Sequence, residues 1–251
     1  MLQKIDNKLI QNLFPRIRNP LSLSQEIVER IEELIRQKKV LPGEKLPTEE
    51  KLCEMFGVSR TSLREALQKL SARGLLRIRK GSGIYVTDYH AENIIKPLSL
   101  FLELNLDRDY ILQVITVRKI IEPPVAALAA SRRCADDLDK LESNCADLKK
   151  CDPQDYIRQG QIDKDFHLNI AIASQIQLIP IIVEPMFLLM PKIRSLVYER
   201  IDNAKSSAVQ YHDRIFEKIR AGDASGAAES MLNHLQIAEE HTLLILADLP
   251  E

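Results

Sequence analysis

Three histidines and one aspartate stand where this chain should turn apolar residues inward. The pattern over 153–175 predicts a helix, and Asp163, Phe166, His167 and Ile170 share one of its faces. In the predicted helix over 203–221 the corresponding stripe is Ala208, Tyr211, His212, Ile215 and Ile219. Over 223–247 it is Met231, His234, Leu235 and Ala238. A carboxylate and an imidazole four residues apart on a helix can grip one ion. With His212 and His234 added, Asp163 and His167 make a three-nitrogen, one-oxygen set. Zinc, nickel, cobalt or manganese suits such a set, and its imidazole content favours the zinc-like end. The alternative is a group of core residues each satisfied by a hydrogen bond, because buried polar groups need partners.

Arg118 raises a second possibility. It lies on the apolar stripe of a predicted helix over 107–133, among Ile111, Val114, Ile115, Val125 and Ala129, with Glu122 on the same face. An arginine there either pairs with Glu122 or offers its planar fork to an anionic ligand. His241, one heptad beyond His234, either supports the set from behind or simply packs. His90 falls in a linker, where solvation is expected.

The elements that must position these groups are helical. After residue 87 strand signals are absent, and helices are predicted at about 94–104, 107–133, 135–150, 153–175, 178–201, 203–221 and 223–247. Pro180, Pro185 and Pro191 should kink or interrupt the 178–201 segment. The expected organisation is an arm at 1–21, a front domain at 22–87, a linker at 88–93 and an all-helical domain at 94–251.

The front domain carries a different chemistry. Its first helix is predicted at 22–39, with Ile27, Ile31, Leu34 and Ile35 facing inward. Thr48 caps a short helix with Glu49 and Glu50 in its first turn, and Gly57 stops it. Ser59 caps another, running to about Arg73 and ended by Gly74. Leu63, Ala66, Leu67 and Leu70 pack inward on this last helix. Thr61, Arg64 and Gln68 point away, with Arg60 at the N-terminal edge. Short strands at Leu75–Arg79 and Gly83–Thr87 follow, joined by a Gly-rich turn, with Arg77, Arg79 and Lys80 adding positive charge. An exposed helix bearing Arg-Thr and a further Arg suits a DNA major groove, where arginine forks onto guanine and hydroxyls bind phosphate. A single basic helix is more often just a solvated face. Capped helices, hairpin and charge in this order point instead to a winged helix-turn-helix.

Charge divides the same way. Residues 1–90 hold 17 Lys and Arg against 11 Asp and Glu, while residues 91–251 hold 18 against 25. The front can meet phosphate, which the back would repel. Tryptophan is absent and aromatics make up 5% of the chain, which disfavours stacking on single-stranded bases. The four cysteines form no CxxC pair, and there is neither a signal peptide nor an apolar run of transmembrane length. Reduced thiols, a cytoplasmic location and no membrane contact are expected, with Cys53 packed in the front domain.

The stretch LPTEEKLCEMFGVSRTSLREALQKLSARGLLRIRKGSGIYV resembles the GntR superfamily of bacterial transcription regulators. The back half resembles its FadR-like branch with an all-helical, FCD-type effector domain. There VRKIIEPPVAALAA is similar to the family's Arg-x-x-x-Glu-Pro helix and DKDFH to its Asp-x-x-Phe-His pattern. YHDRIFEKIRAGDASGAAESMLNHL is similar to the closing pair of helices. The resemblance implies DNA contacts by Arg60, Thr61, Arg64, Lys80 and Gly81, and metal ligands at Asp163, His167, His212 and His234. Many relatives carry a basic residue where this chain has Glu50. Some relatives lack the ligand set and bind acyl-CoA instead, a mode the full set here argues against.

The expected protein is mainly α and not an enzyme. It is a homodimeric regulator that binds a palindromic double-stranded operator and responds to a small organic acid held at the metal and Arg118. Two rivals stand beside this expectation. In one, the metal itself is the signal. In the other, a metal-dependent enzyme is carried on a DNA-binding module, although no general base adjoins the ligands as in HExxH.

Overall fold

The computed structural model describes residues 22–88 and 91–247. The expected arm at 1–21 and the environment of His90 lie outside the described residues. The chain divides between His90 and Ala91 into two compact units.

The front unit begins with α1, Leu23–Arg36, whose Ser22 cap accepts the N–H of Gln25. This helix stops short of the predicted 39, because Gln37 caps it and Lys38 turns the chain with φ 54°. In α2, Glu49–Phe56, Thr48 accepts the N–H of Lys51, and Gly57 ends the helix at φ 65°, where a side chain would be strained. In α3, Arg60–Ala72, the Ser59 cap accepts the N–H of Ser62. The hairpin pairs β1, Leu76–Arg79, antiparallel with β2, Gly83–Val86, in the register Leu76 to Val86 and Arg79 to Gly83. Residues 44–46 run along the other edge of β2, where Leu46 N–H bonds Ile84 O and Val86 N–H bonds Glu44 O. Ile31, Leu52, Leu63, Leu67 and Ile84 belong to one core, with Cys53 packed at its edge.

The second unit is wholly helical among the described residues. Its elements are α4 Glu92–Leu104, α5 Arg108–Arg132, α6 Ala135–Lys150, α7 Tyr156–Ala173, α8 Leu178–Phe187, α9 Met190–Arg200, α10 Ala204–Ala221 and α11 Ala224–Ala247. Helix α4 starts inside the predicted linker, at Glu92. The predicted 178–201 helix is two helices. The break at Leu188–Leu189 precedes Pro191, whose ring would meet the carbonyl of Phe187 in an unbroken helix. Pro185 is carried within α8, and Pro123 and Pro124 within α5, where Glu122, Pro123, Val125 and Ala126 are buried.

Helix α5 packs on α11 and α7, α7 also packs on α6 and α9, and α10 packs on α11. Gly160 makes the contact of α7 with α9 close. A Cβ built at Gly160 would lie 2.8 Å from the carbonyl oxygen of Pro191. The aspartate-and-histidine faces of α7, α10 and α11 thereby turn into one interior that α5 and α9 help to close.

Candidate metal centre and nucleic-acid interface

Asp163, His167, His212 and His234 are all buried, and one potential ligand atom from each lies within 4.8 Å of the others. Helix α7 supplies the first two from one face. The buried stripes of α10 and α11 supply one histidine each. The His212 ring stacks on Phe166 at 3.8 Å and 11°, which fixes its plane. Neither nitrogen of His212 has a hydrogen-bond partner, nor does Oδ2 of Asp163. His167 Nε2 and His234 Nε2 are 3.2 Å apart. Two lone pairs cannot share that space unless one nitrogen holds a proton or both face a cation.

Burial pushes the His212 imidazole down to about 3, only partly opposed by Asp163. Burial, then His212 and His167, hold His234 well below its ordinary value. Neutral imidazoles keep a lone pair for an ion. Burial would raise the Asp163 carboxyl, but Arg194, then His167 and His212, hold it well below the usual carboxylate range. A buried carboxylate with an orphaned oxygen, beside histidines with orphaned nitrogens, is a donor set that fits a transition-metal ion.

Arg118 and Glu122 are both buried, and Arg118 Nε donates to Glu122 Oε1 at 2.5 Å. The same guanidinium reaches Met190 Sδ through Nη1, while Nη2 has no partner. The other oxygen of Glu122 meets His167 Nδ1 at 2.5 Å. Burial would raise the Glu122 carboxyl, but Arg118, then His167, hold it down to about 2. An ionised Glu122 accepts a hydrogen bond from Nδ1–H and so leaves Nε2 of His167 as the lone-pair atom, the second support that metal-binding histidines ordinarily carry. The contact of Glu122 with His167 was not readable from one helix, because the histidine belongs to another.

Arg194 and Tyr198 of α9 were also missed. Tyr198 donates to Asp163 Oδ1 at 2.9 Å, and Arg194 Nε lies 3.5 Å from the same oxygen. The available signal was a charged Arg194 on the face shared by Met190, Val197 and Tyr198, obscured by the surrounding prolines.

In the front unit, Arg60, Thr61, Arg64, Lys80 and Gly81 are exposed. The first three lie on α3 and the last two on the turn of the hairpin. Arg64 Nε donates to Glu49 Oε2 at 2.8 Å, and Arg60 Nη2 lies 3.9 Å from Glu50 Oε1. Each arginine therefore meets an acid from the first turn of α2. Gly81 turns the hairpin at φ 76°, leaving its backbone open. Arg79 lies over the Tyr85 ring, whose hydroxyl meets Ser82 Oγ at 2.8 Å.

A winged helix-turn-helix with its arginines outward, joined to an all-helical unit, defines a DNA-binding regulator of transcription. The pattern of "Bacterial regulatory proteins, gntR family" matches residues 23–86, and that of the FCD domain matches residues 113–237. The Bacillus subtilis HTH-type transcriptional regulator LutR is 31% identical over 218 residues, spanning 82% of this chain and 95% of that protein. An Escherichia coli protein provisionally named the L-lactate dehydrogenase operon regulatory protein is 32% identical, spanning 90% of this chain and 87% of its own. A solved Streptococcus agalactiae GntR structure has a TM-score of 0.63 at 27% identity, covering 86% of this chain and 99% of that one. The chain belongs to the GntR family of bacterial regulatory proteins, in its FadR-like, FCD-type branch. It is a transcriptional regulator and not an enzyme. No helix among the described residues is long and apolar enough to cross a membrane.

Proposed function

We propose that this regulator changes its grip on DNA when a small carboxylate binds beside a divalent metal in the helical unit. The carrying observation is the buried convergence of Asp163, His167, His212 and His234. These four side chains would hold the ion, with zinc favoured by the three imidazoles and nickel or manganese as alternatives. When bound, the ion supplies a Lewis-acidic position for a carboxylate oxygen. Arg118 supports the same reading, because its Nη2 is buried without a partner in a helix that lines this interior. Glu122 holds both Arg118 and His167 and so ties the anion-binding group to a metal ligand. The names of two relatives point to regulation and, for one of them, to an L-lactate dehydrogenase operon. That agrees with a small organic acid as effector.

For DNA, the reading assigns Arg60, Thr61 and Arg64 to the major groove and Lys80 and Gly81 to the backbone beside it. The working form is a homodimer on a palindromic operator, one recognition helix per half-site. Exposed Ile94, Leu98 and Phe101 of α4, beside exposed Leu178 and Ile182 of the adjacent α8, support a second copy as partner. Its place of work is the cytoplasm, beside the chromosome. The effector must bind one dimer geometry better than the other, since only differential affinity moves that equilibrium.

The test is thermal unfolding of the purified protein against a panel of small carboxylic acids, as isolated and after chelation. A ligand of the native state raises the melting temperature. The reading expects one class of acid to do so and chelation to abolish the shift. His212→Ala should lose the bound metal and the response while still binding operator. Normal metal content in that variant would overturn the ligand assignment. Operator affinity that follows free metal, with no acid acting, would favour metal as the signal.

A further inference from the structure

We infer that Tyr198 and Arg194 are positioning residues that decide which oxygen of Asp163 faces the ion, an inference that rests on the metal centre proposed above. The Asp163 carboxylate has two unequal sides. Oδ1 accepts the Tyr198 hydroxyl at 2.9 Å and lies 3.5 Å from Arg194 Nε, both from α9. Oδ2 has no hydrogen-bond partner although it is fully buried, and it lies 3.9 Å from His167 Nε2. An orphaned carboxylate oxygen in a closed interior is costly unless something positive meets it. Oδ1 also lies 3.6 Å from His212 Nε2, but it is already held by Tyr198 and Arg194 while Oδ2 is held by nothing, so Oδ2 is the oxygen left for an ion.

The two holding groups are themselves constrained. Arg194 Nη2 donates to the Tyr198 hydroxyl at 3.3 Å, and the guanidinium lies over the Tyr198 ring at 4.9 Å. Arg194 and Tyr198 are both buried, and they stand one helical turn apart on α9. The phenol therefore accepts from the arginine and donates to the aspartate, which fixes the direction of its proton. Glu122 likewise orients His167, through Nδ1. Two ligands of the set are thus oriented from outside it, one by α5 and one by α9. Support of this kind is commonly worth about 10- to 100-fold in metal affinity.

Tyr198→Phe removes one oxygen and keeps the ring under Arg194. Arg194→Lys keeps the charge and removes the planar fork, and serves if the first variant fails to fold. Each is purified without metal, checked by thermal unfolding, and titrated with zinc against a competing chelator. Each is also loaded with cobalt, whose visible spectrum reports the ligand geometry. The expected result is an affinity for zinc weakened about 10- to 100-fold and an altered cobalt spectrum, with unfolding of the metal-free form little changed. A purely structural role would move the unfolding and leave the cobalt spectrum alone. Wild-type affinity and spectrum in both variants, alongside loss of binding in His212→Ala, would overturn this inference and leave the metal centre standing. A wild-type protein that takes up neither zinc nor cobalt would overturn both.

Discussion

Arg64 on α3 is held by Glu49 from the preceding helix, Nε to Oε2 at 2.8 Å. The bond uses the one guanidinium nitrogen that lies nearest the backbone and leaves the terminal fork free. A fork presented in this way matches the two acceptors on the major-groove edge of guanine. Glu49 also raises the Arg64 pKa, first by the hydrogen bond and then by its charge. The pair lies at the surface, so its value is in orientation and not in stability.

The first prediction concerns that pair. Arg64→Ala should weaken operator binding about tenfold to a hundredfold and relax the preference at one base pair. Glu49→Gln leaves only a neutral amide oxygen to accept from Arg64 and removes a negative charge, so the guanidinium is held less firmly. It should bind unrelated DNA no less well and lose discrimination between operator and non-operator. Fluorescence anisotropy with operator and scrambled duplexes measures both quantities. A Glu49→Gln protein with undiminished discrimination would show that Arg64 needs no support.

Lys80 should behave differently. It sits on the exposed turn of the hairpin and has a phosphate-binding chemistry. Lys80→Ala should weaken operator and scrambled DNA by the same factor. The slope of log affinity against log salt should fall by about 1. A loss confined to operator would place Lys80 against a base edge.

Gly160→Ala should strain the helical unit. The added carbon would lie 2.8 Å from a backbone oxygen of Pro191, so α7 and α9 must part. Overpacking of this kind costs about 1–3 kcal/mol. The same movement carries Arg194 and Tyr198 away from Asp163, because Asp163 and Arg194 lie about one turn beyond Gly160 and Pro191, and Tyr198 about two turns beyond Pro191. Chemical denaturation checks the stability and chelator competition the metal affinity. An unchanged protein on both counts would show that α9 can retreat freely.

Asp137 should contribute to acid stability. Its Oδ2 accepts the Cys134 N–H at 2.9 Å and Gln175 Nε2 at 2.7 Å, at the start of α6. Burial would raise this carboxyl, but the Cys134 N–H, then the Cys134 thiol and Gln175, hold it below the ordinary value. A folded pKa below the unfolded one means the stabilisation is present above the unfolded value, about 3.9. It is then lost as the pH falls through the folded value. Asp137→Ala should therefore cost about 2 kcal/mol at neutral pH, with the deficit shrinking at the acid end. Urea midpoints across that range test this, and a deficit constant with pH would sink it.

Much of the front unit was legible because its signals are local. Thr48, Gly57 and Ser59 act on backbone groups a few residues away, and the structure has each cap and stop in place. The ends were less legible. The first helix stops at Arg36 and not at 39, since Lys38 adopts a left-handed turn that its residue type does not advertise. In the second unit, the inward faces of Asp163, His167, His212 and His234 followed from helical periodicity. That prolines would interrupt the 178–201 segment also followed from the sequence, but the place of the break did not, because three prolines competed and the break falls before Pro191.

By itself, then, the sequence determined which helices and strands form around the caps, which faces turn inward, and to which family the chain belongs. These depend on hydrogen bonds and side-chain periods that span a few residues. Only the tertiary structure decided that three helices bring four polar groups within 4.8 Å. It also decided that Glu122 spans Arg118 and His167, and that Tyr198 and Arg194 reach Asp163 from a helix whose sequence pattern does not name that partner. The contacts of Glu122 with His167 and of Arg194 and Tyr198 with Asp163 join residues 31 to 45 positions apart. They exist because burying several apolar faces at once leaves few ways to pack the helices, and no local pattern records which one is taken.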